Sequence, residues 1–167
     1  MLEVLKKMSD RLDAGQAVEA VHLEKAVEFI RGFADACHHG KEEVHLFKAM
    51  EEAGIPKQGG PIGVMFHEHK VGRDHARAMA DSIAGIKAGD EAARRRFAEN
   101  ARGYAALLAQ HILKEDSVLY PMADARLTEA QQADLAVQFA DVEKTIVGPG
   151  GHERFHAHLH ELKEAYL

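Results

Sequence analysis

The chain has no tryptophan, one cysteine and four prolines, and aromatic residues make up only 6% of it. The single cysteine, Cys37, excludes an internal disulfide and fits a reducing compartment such as the cytoplasm. Few prolines and few aromatics leave little of the usual material of β-sheet and favour helix. Basic excess is missing too: 21 Lys and Arg stand against 27 Asp and Glu, a net charge of -6. That balance argues against nucleic acid, because phosphate binding needs a basic surface. The one arginine cluster, Arg94-Arg95-Arg96, reads as a solvated helix face. No apolar run is long enough for a membrane span, and the start, Met1 to Gly15, is amphipathic and charged rather than signal-like. One residue type is in excess instead. Twelve histidines in 167 residues are too many for casual surface use and raise the expectation of metal.

A chain of this length is expected to form one domain, residues 1–167, with a real core. Apolar residues recur at helical spacing almost everywhere, and no run alternates like a half-buried strand. A first helix is expected from about Leu2 to Ala14, ending at Gly15. A second runs from about Val18 to Ala53, before Gly54 and Pro56. Pro61 opens the third, which ends near Gly89. Asp90 caps the fourth, which continues to about Met122. Thr128 with Gln131 forms a capping box for a shorter fifth helix, and a last helix covers His152 to Tyr166 after a Gly-Pro-Gly-Gly hinge.

One pattern occurs twice. His38-His39-Gly40-Lys41-Glu42-Glu43-Val44-His45-Leu46-Phe47 and His111-Ile112-Leu113-Lys114-Glu115-Asp116-Ser117-Val118-Leu119-Tyr120 share the form H-x-x-K-E-[ED]-x-x-L-[FY], 73 residues apart. The repeat extends backwards: Gly15 lies 23 residues before His38, and Gly89 lies 22 before His111. Two versions of one helical hairpin make a four-helix bundle, whose facing helices can hold metal in the core.

Helical phase, at 100° per residue, sorts the candidates. In the fourth helix the expected inward stripe is Phe97, Tyr104, Leu108, His111, Val118 and Met122. Glu115 lies about 40° from His111, while Asp116 lies about 140° away and is expected to face out. In the second helix the stripe Leu23, Val27, Ile30, Ala34 leads to His38 and Glu42. Glu43 is expected outside, and His39, about 100° off, is the weaker inward candidate. In the third helix His69 shares a stripe with Ile62, Met65, Ala76, Met79 and Ile83, off which His67 and His75 sit. Unpaired Glu42 and Glu115 among apolar residues would cost several kcal/mol or bind protons. A cation removes that cost. His plus carboxylate suits iron, manganese or zinc, and is too rich in nitrogen for magnesium or calcium. A lone H-x-x-x-E or a lone core histidine would be bland; two copies in phase on a duplicated hairpin are not. Lys41 and Lys114 repeat as well, and are expected to pair with Glu43 and Asp116 or to sit at the bundle edge.

Three ordered segments resemble the hemerythrin-like, or HHE cation-binding, family: F-A-D-A-C-H-H-G-K-E-E at 33–43, G-G-P-I-G-V-M-F-H-E-H-K-V-G-R at 59–73 and H-I-L-K-E-D-S-V-L-Y-P-M-A at 111–123. The resemblance covers nearly the whole chain. It implies an all-α, up-down four-helix bundle with extra C-terminal helices, holding a non-haem di-iron centre with an open position for O₂ or a related small ligand. Carried over by motif, the metal ligands are His38, Glu42, His69, His111 and Glu115. The spacing of hemerythrins proper would select Asp116 instead; phase and symmetry with Glu42 favour Glu115. The family normally adds a histidine in an E-H pair on the first helix, and this first helix has none. The expectation is a helix that truly begins at least one turn upstream, or an incomplete site with one metal position weak, vacant or taken by zinc or manganese. A shortened helix also leaves apolar surface that a second copy could cover in a homodimer.

The other histidines read more blandly. His45 is a core or outer-sphere residue, His22 is no ligand, and His152, His156 and His160 form a surface series on the last helix, whose Phe155, Leu159, Leu162 and Tyr166 pack inward. Cys37 reads as a small buried side chain, and Tyr104 as packing or as a group that tunes a bound ligand. The preferred function is binding of O₂ or NO at iron for sensing, storage or delivery. The alternative is a di-iron oxidase or peroxidase, or an iron donor for iron–sulfur cluster repair. Binding is preferred because no substrate pocket is visible in the sequence. A ferritin-like carboxylate protein fits less well, since the fourth helix lacks a Glu-x-x-His at the matched position. A metal-free interaction bundle is the remaining reading.

Overall fold

The computed structural model describes residues 1–167 and contains six helices and no strand. They are α1 (Leu2–Asp13), α2 (20–52), α3 (Pro61–Lys87), α4 (91–126), α5 (129–147) and α6 (Gly151–Tyr166). Gly15 at φ 68° and Gly89 at φ 81° take the left-handed conformation just past the ends of α1 and α3. The Asp90 side chain accepts the Ala92 N–H at 2.8 Å and opens α4, and Thr128 with Gln131 forms the capping box of α5. No helix is long and apolar enough to cross a membrane.

α3 and α4 lie along each other, α1 runs along α4, and α2 packs on α3, giving an all-α helical bundle. α1 has 12 residues, too few for a stable isolated helix. It is held by burial: Val4, Leu5 and Met8 are fully covered, the larger two contributing about 1.5–3 kcal/mol each. α6 closes over α1 and α2. Arg11 donates to the Ala165 carbonyl at 3.0 Å, and His22 shares a 3.0 Å hydrogen bond with the Tyr166 hydroxyl. Phe155 seats on Gly32, where a Cβ would stand 2.6 Å from its ring.

The core has two large apolar clusters and a small third one of Cys37, Val147 and Phe155. One of 19 residues joins α1, the first part of α2, the later part of α3 and the early part of α4, with Leu162 and Tyr166 of α6. The other, of 10 residues, includes Leu46, Phe47, Met50, Ile62, Met65 and Leu119. Between them lies a polar layer of five buried residues, His39, Glu42, His69, His111 and Glu115. The two other buried polar residues, Ser9 and Ser82, bond to carbonyls of their own helices.

Two expectations of phase fail here, for one reason. α2 and α4 are wound in π-turns around the polar layer: the Gly40 N–H bonds to Asp35 O, Phe47 to Glu42 O and Tyr120 to Glu115 O, each five residues back. Such a turn takes in nearly one more residue than an α-turn. In α4 the buried row is therefore His111, Glu115, Leu119 and Ala123, spaced by four. A regular α-helix would drift about 120° over that row. Val118, expected inside, is exposed, and Leu119 takes its place. In α2 the wide turns across 29–39 carry His39 into the core and leave the His38 side chain 45% exposed.

Candidate metal centre

Three helices of the bundle supply the site: α2 gives His38, His39, Glu42 and Glu43, α3 gives Glu68 and His69, and α4 gives His111 and Glu115. Four donor atoms converge within 4.8 Å of one another: one oxygen each of Glu42 and Glu115, and one nitrogen each of His69 and His111. The two Nε2 atoms are 3.2 Å apart. His69 Nε2 lies 3.3 Å from Glu42 Oε2, and His111 Nε2 lies 2.8 Å from Glu115 Oε1.

Each imidazole is anchored from behind. His69 Nδ1 meets Glu43 Oε1 at 2.7 Å, and His111 Nδ1 meets Glu68 Oε2 at 2.9 Å. An ionised carboxylate can only accept, so both Nδ1 atoms carry a proton, and in the neutral imidazoles both Nε2 lone pairs turn inward. Arg73 steadies this outer ring, donating to Glu43 Oε1 and to Asp35 Oδ1 at 2.8 Å each. Asp35 in turn reaches His39 Nδ1 at 3.3 Å, and the His39 ring stacks on His69 with centroids 3.9 Å apart. Lys114 pairs with Glu68, and Lys41 with Glu143 of α5, so neither pairs with the acidic neighbour expected from the repeat.

Electrostatics expose what the cluster needs. Glu42 Oε2 and Glu115 Oε1 are buried and have no hydrogen-bond partner outside the cluster; the other oxygen of Glu42 accepts from the Tyr120 hydroxyl at 2.9 Å. Burial acts to raise the Glu115 pKa, but His111 and His38 outweigh it and hold the carboxyl well below its usual range. Burial acts to lower the His111 pKa, and hydrogen bonds to Glu115 and Glu68 carry it upward instead. His38 is raised, chiefly by Glu115, whose Oε1 lies 3.7 Å from its Nε2. His39 is lowered, chiefly by burial, which keeps its imidazole neutral. Two imidazole nitrogens and two carboxylate oxygens thus face one another, a donor set that a cation would satisfy. Nitrogen and oxygen donors in this mix fit a transition ion such as iron, manganese or zinc.

Of the five residues expected as ligands, the structure brings Glu42, His69, His111 and Glu115 together and sets His38 at the edge, toward Glu115. His39, the weaker inward candidate by phase, is buried and has a nitrogen within 4.8 Å of those of His69 and His111. Asp116 is exposed, whereas Glu43 faces His69 rather than solvent. Sequence reasoning missed Glu43 and Glu68 as anchors; the available signal was that each directly neighbours a candidate ligand in sequence. His45 lies outside the cluster against Phe139, and His156 and His160 are exposed on α6. Cys37 is buried against Val147 and Phe155.

Fold and cluster together define a helical bundle with a candidate cation site built from histidine and glutamate in its core. The chain belongs to the hemerythrin HHE cation-binding domain family, whose model matches residues 1–123. It is also 27% identical over 141 residues to uncharacterized proteins of Mycobacterium bovis and Mycobacterium tuberculosis. Those alignments cover 84% of this chain and 54% of each relative, so the chain spans about half the length of the curated relatives it matches. No solved structure matches it.

Proposed function

We propose that the protein holds iron in the buried cluster and binds O₂ or NO there, for sensing, storage or delivery. The observation that carries this reading is the convergence of four buried donors, two of them carboxylate oxygens without any other partner. Glu42, His69, His111 and Glu115 would hold the ion; His38 and His39 stand beside them. Glu43 and Glu68 fix the tautomers of His69 and His111, and Tyr120 orients Glu42. The two large apolar clusters cover the layer above and below. When bound, iron supplies one-electron redox chemistry and an open position for a diatomic ligand.

The test is elemental analysis of protein produced with iron available, with optical spectra in air and under reduction. One or two irons per chain and a spectrum altered by O₂ or NO are expected. Protein that contains no iron and takes none up would end this reading; zinc or manganese in its place would end the redox part of it.

The outer carboxylates give a second expected result. Glu43→Gln and Glu68→Gln keep the size of the side chain but remove its charge, so each is expected to weaken metal affinity by about 10–100-fold. Competition with a chromogenic chelator measures this. Unchanged affinity in both variants would mean that the imidazoles are oriented by packing alone.

A further inference from the structure

A cavity of about 360 Å³ opens between α2 and α4, beside the cluster. Its walls include Leu2, Phe29, Phe33, Tyr104 and Leu108, and His38, His39, His111 and Glu115 stand at its polar end. A diatomic ligand needs only a small part of that space. The volume falls instead within the range of small-molecule sites, about 300–1,000 Å³, and so does the character of the lining, mostly apolar with a few convergent polar groups.

The lining also selects the charge of an occupant. Apolar walls offer an ion no partner, and burying one there would cost several kcal/mol. A hydroxyl suits the polar end, since it can donate to a carboxylate oxygen and accept from an imidazole. We propose that this cavity binds a neutral, hydroxyl-bearing aromatic molecule of the phenol or naphthol class, its hydroxyl toward His38 and Glu115 and its ring between the aromatic and leucine walls. The walls are side chains of α2 and α4 with Met1 and Leu2 at the start of α1, and none of these apolar walls needs a cation to hold it in place. It goes beyond the binding of a diatomic, and it places an organic molecule next to the metal.

Calorimetric titration with 2-naphthol tests the proposal, on cation-free protein and on protein loaded with redox-silent zinc. One saturable site per chain is expected in both forms. Ala34→Leu, which fills the cavity, and Ile112→Trp, at its exposed rim, are each expected to weaken binding by at least about tenfold, with circular dichroism and zinc content unchanged. 2-Naphthoate, with the same ring and a carboxylate, is expected to bind at least about tenfold more weakly than 2-naphthol. No saturable binding to either form would overturn the proposal, as would full affinity in both variants or naphthoate binding as tightly as naphthol. Naphthol binding by a protein that takes up no metal would support the cavity and sink the metal reading alone.

Discussion

Glu42→Ala and Glu115→Ala are each expected to reduce cation affinity by more than about 100-fold, beyond the 10–100-fold typical of outer-sphere changes. Asp116→Ala is expected to leave it unchanged. Glu42 and Glu115 are each 3% exposed and aim an oxygen into the cluster that has no partner outside it, whereas Asp116 is exposed. Equilibrium dialysis with zinc or ferrous iron reads the result, and circular dichroism separates ligand loss from unfolding. Glu43→Ala divides the structural argument from simple helical phase. Phase puts Glu43 outside and leaves metal untouched; its bond to His69 Nδ1 requires a loss of affinity. If Asp116→Ala loses the cation while Glu115→Ala keeps it, the four-donor cluster is not the binding site.

Much of this was legible in the sequence because it rests on local rules. Gly15 and Gly89 end helices where left-handed glycines are needed, and Asp90 and Thr128 begin them with side-chain caps. Glu42, His69, His111 and Glu115 are polar residues on apolar stripes, so their burial follows from periodicity. The failures cluster where periodicity itself changes. His38 and His39 exchange places, and Val118 and Leu119 do the same, because α2 and α4 are overwide around the site. No residue type announces an i→i+5 turn, and each such turn in α2 and α4 begins or ends at or beside a candidate ligand, as π-turns at functional sites often do; a further one, at Glu143–Val147 in α5, lies away from the site. The outer ring was hidden for another reason. Arg73, Asp35 and Glu43 are brought together across α2 and α3, and Glu68 reaches from α3 to His111 on α4. Such contacts depend on how helices are rotated against each other, which a single-helix projection does not contain. The cavity beside the cluster is likewise a product of packing between helices.

Loading the site is expected to raise the melting temperature, and by more at higher pH. A ligand that binds only the folded protein stabilises it by about 2.7 kcal/mol at a hundredfold excess over its Kd. For a chain of this size that corresponds to roughly 5–11 °C. The pH dependence follows from His111 and Glu115 in the cation-free protein. The raised His111 pKa contributes stability that is complete below the ordinary imidazole value of 6.5 and fades as pH rises through the raised one. The depressed Glu115 pKa contributes stability that is present above the ordinary carboxyl value of 4.5 and is lost only in stronger acid. Between about pH 6 and 8, then, Glu115 contributes steadily while the His111 contribution declines. Cation uptake moves the other way, because an imidazole must shed its proton before it can coordinate. Both effects widen the gap between loaded and cation-free melting temperatures as pH increases. Scanning calorimetry at the two pH values, with and without zinc, measures the gap. A gap that narrows toward pH 8 would mean that His111 is not a ligand, and no gap at either pH would place the cation outside the buried layer.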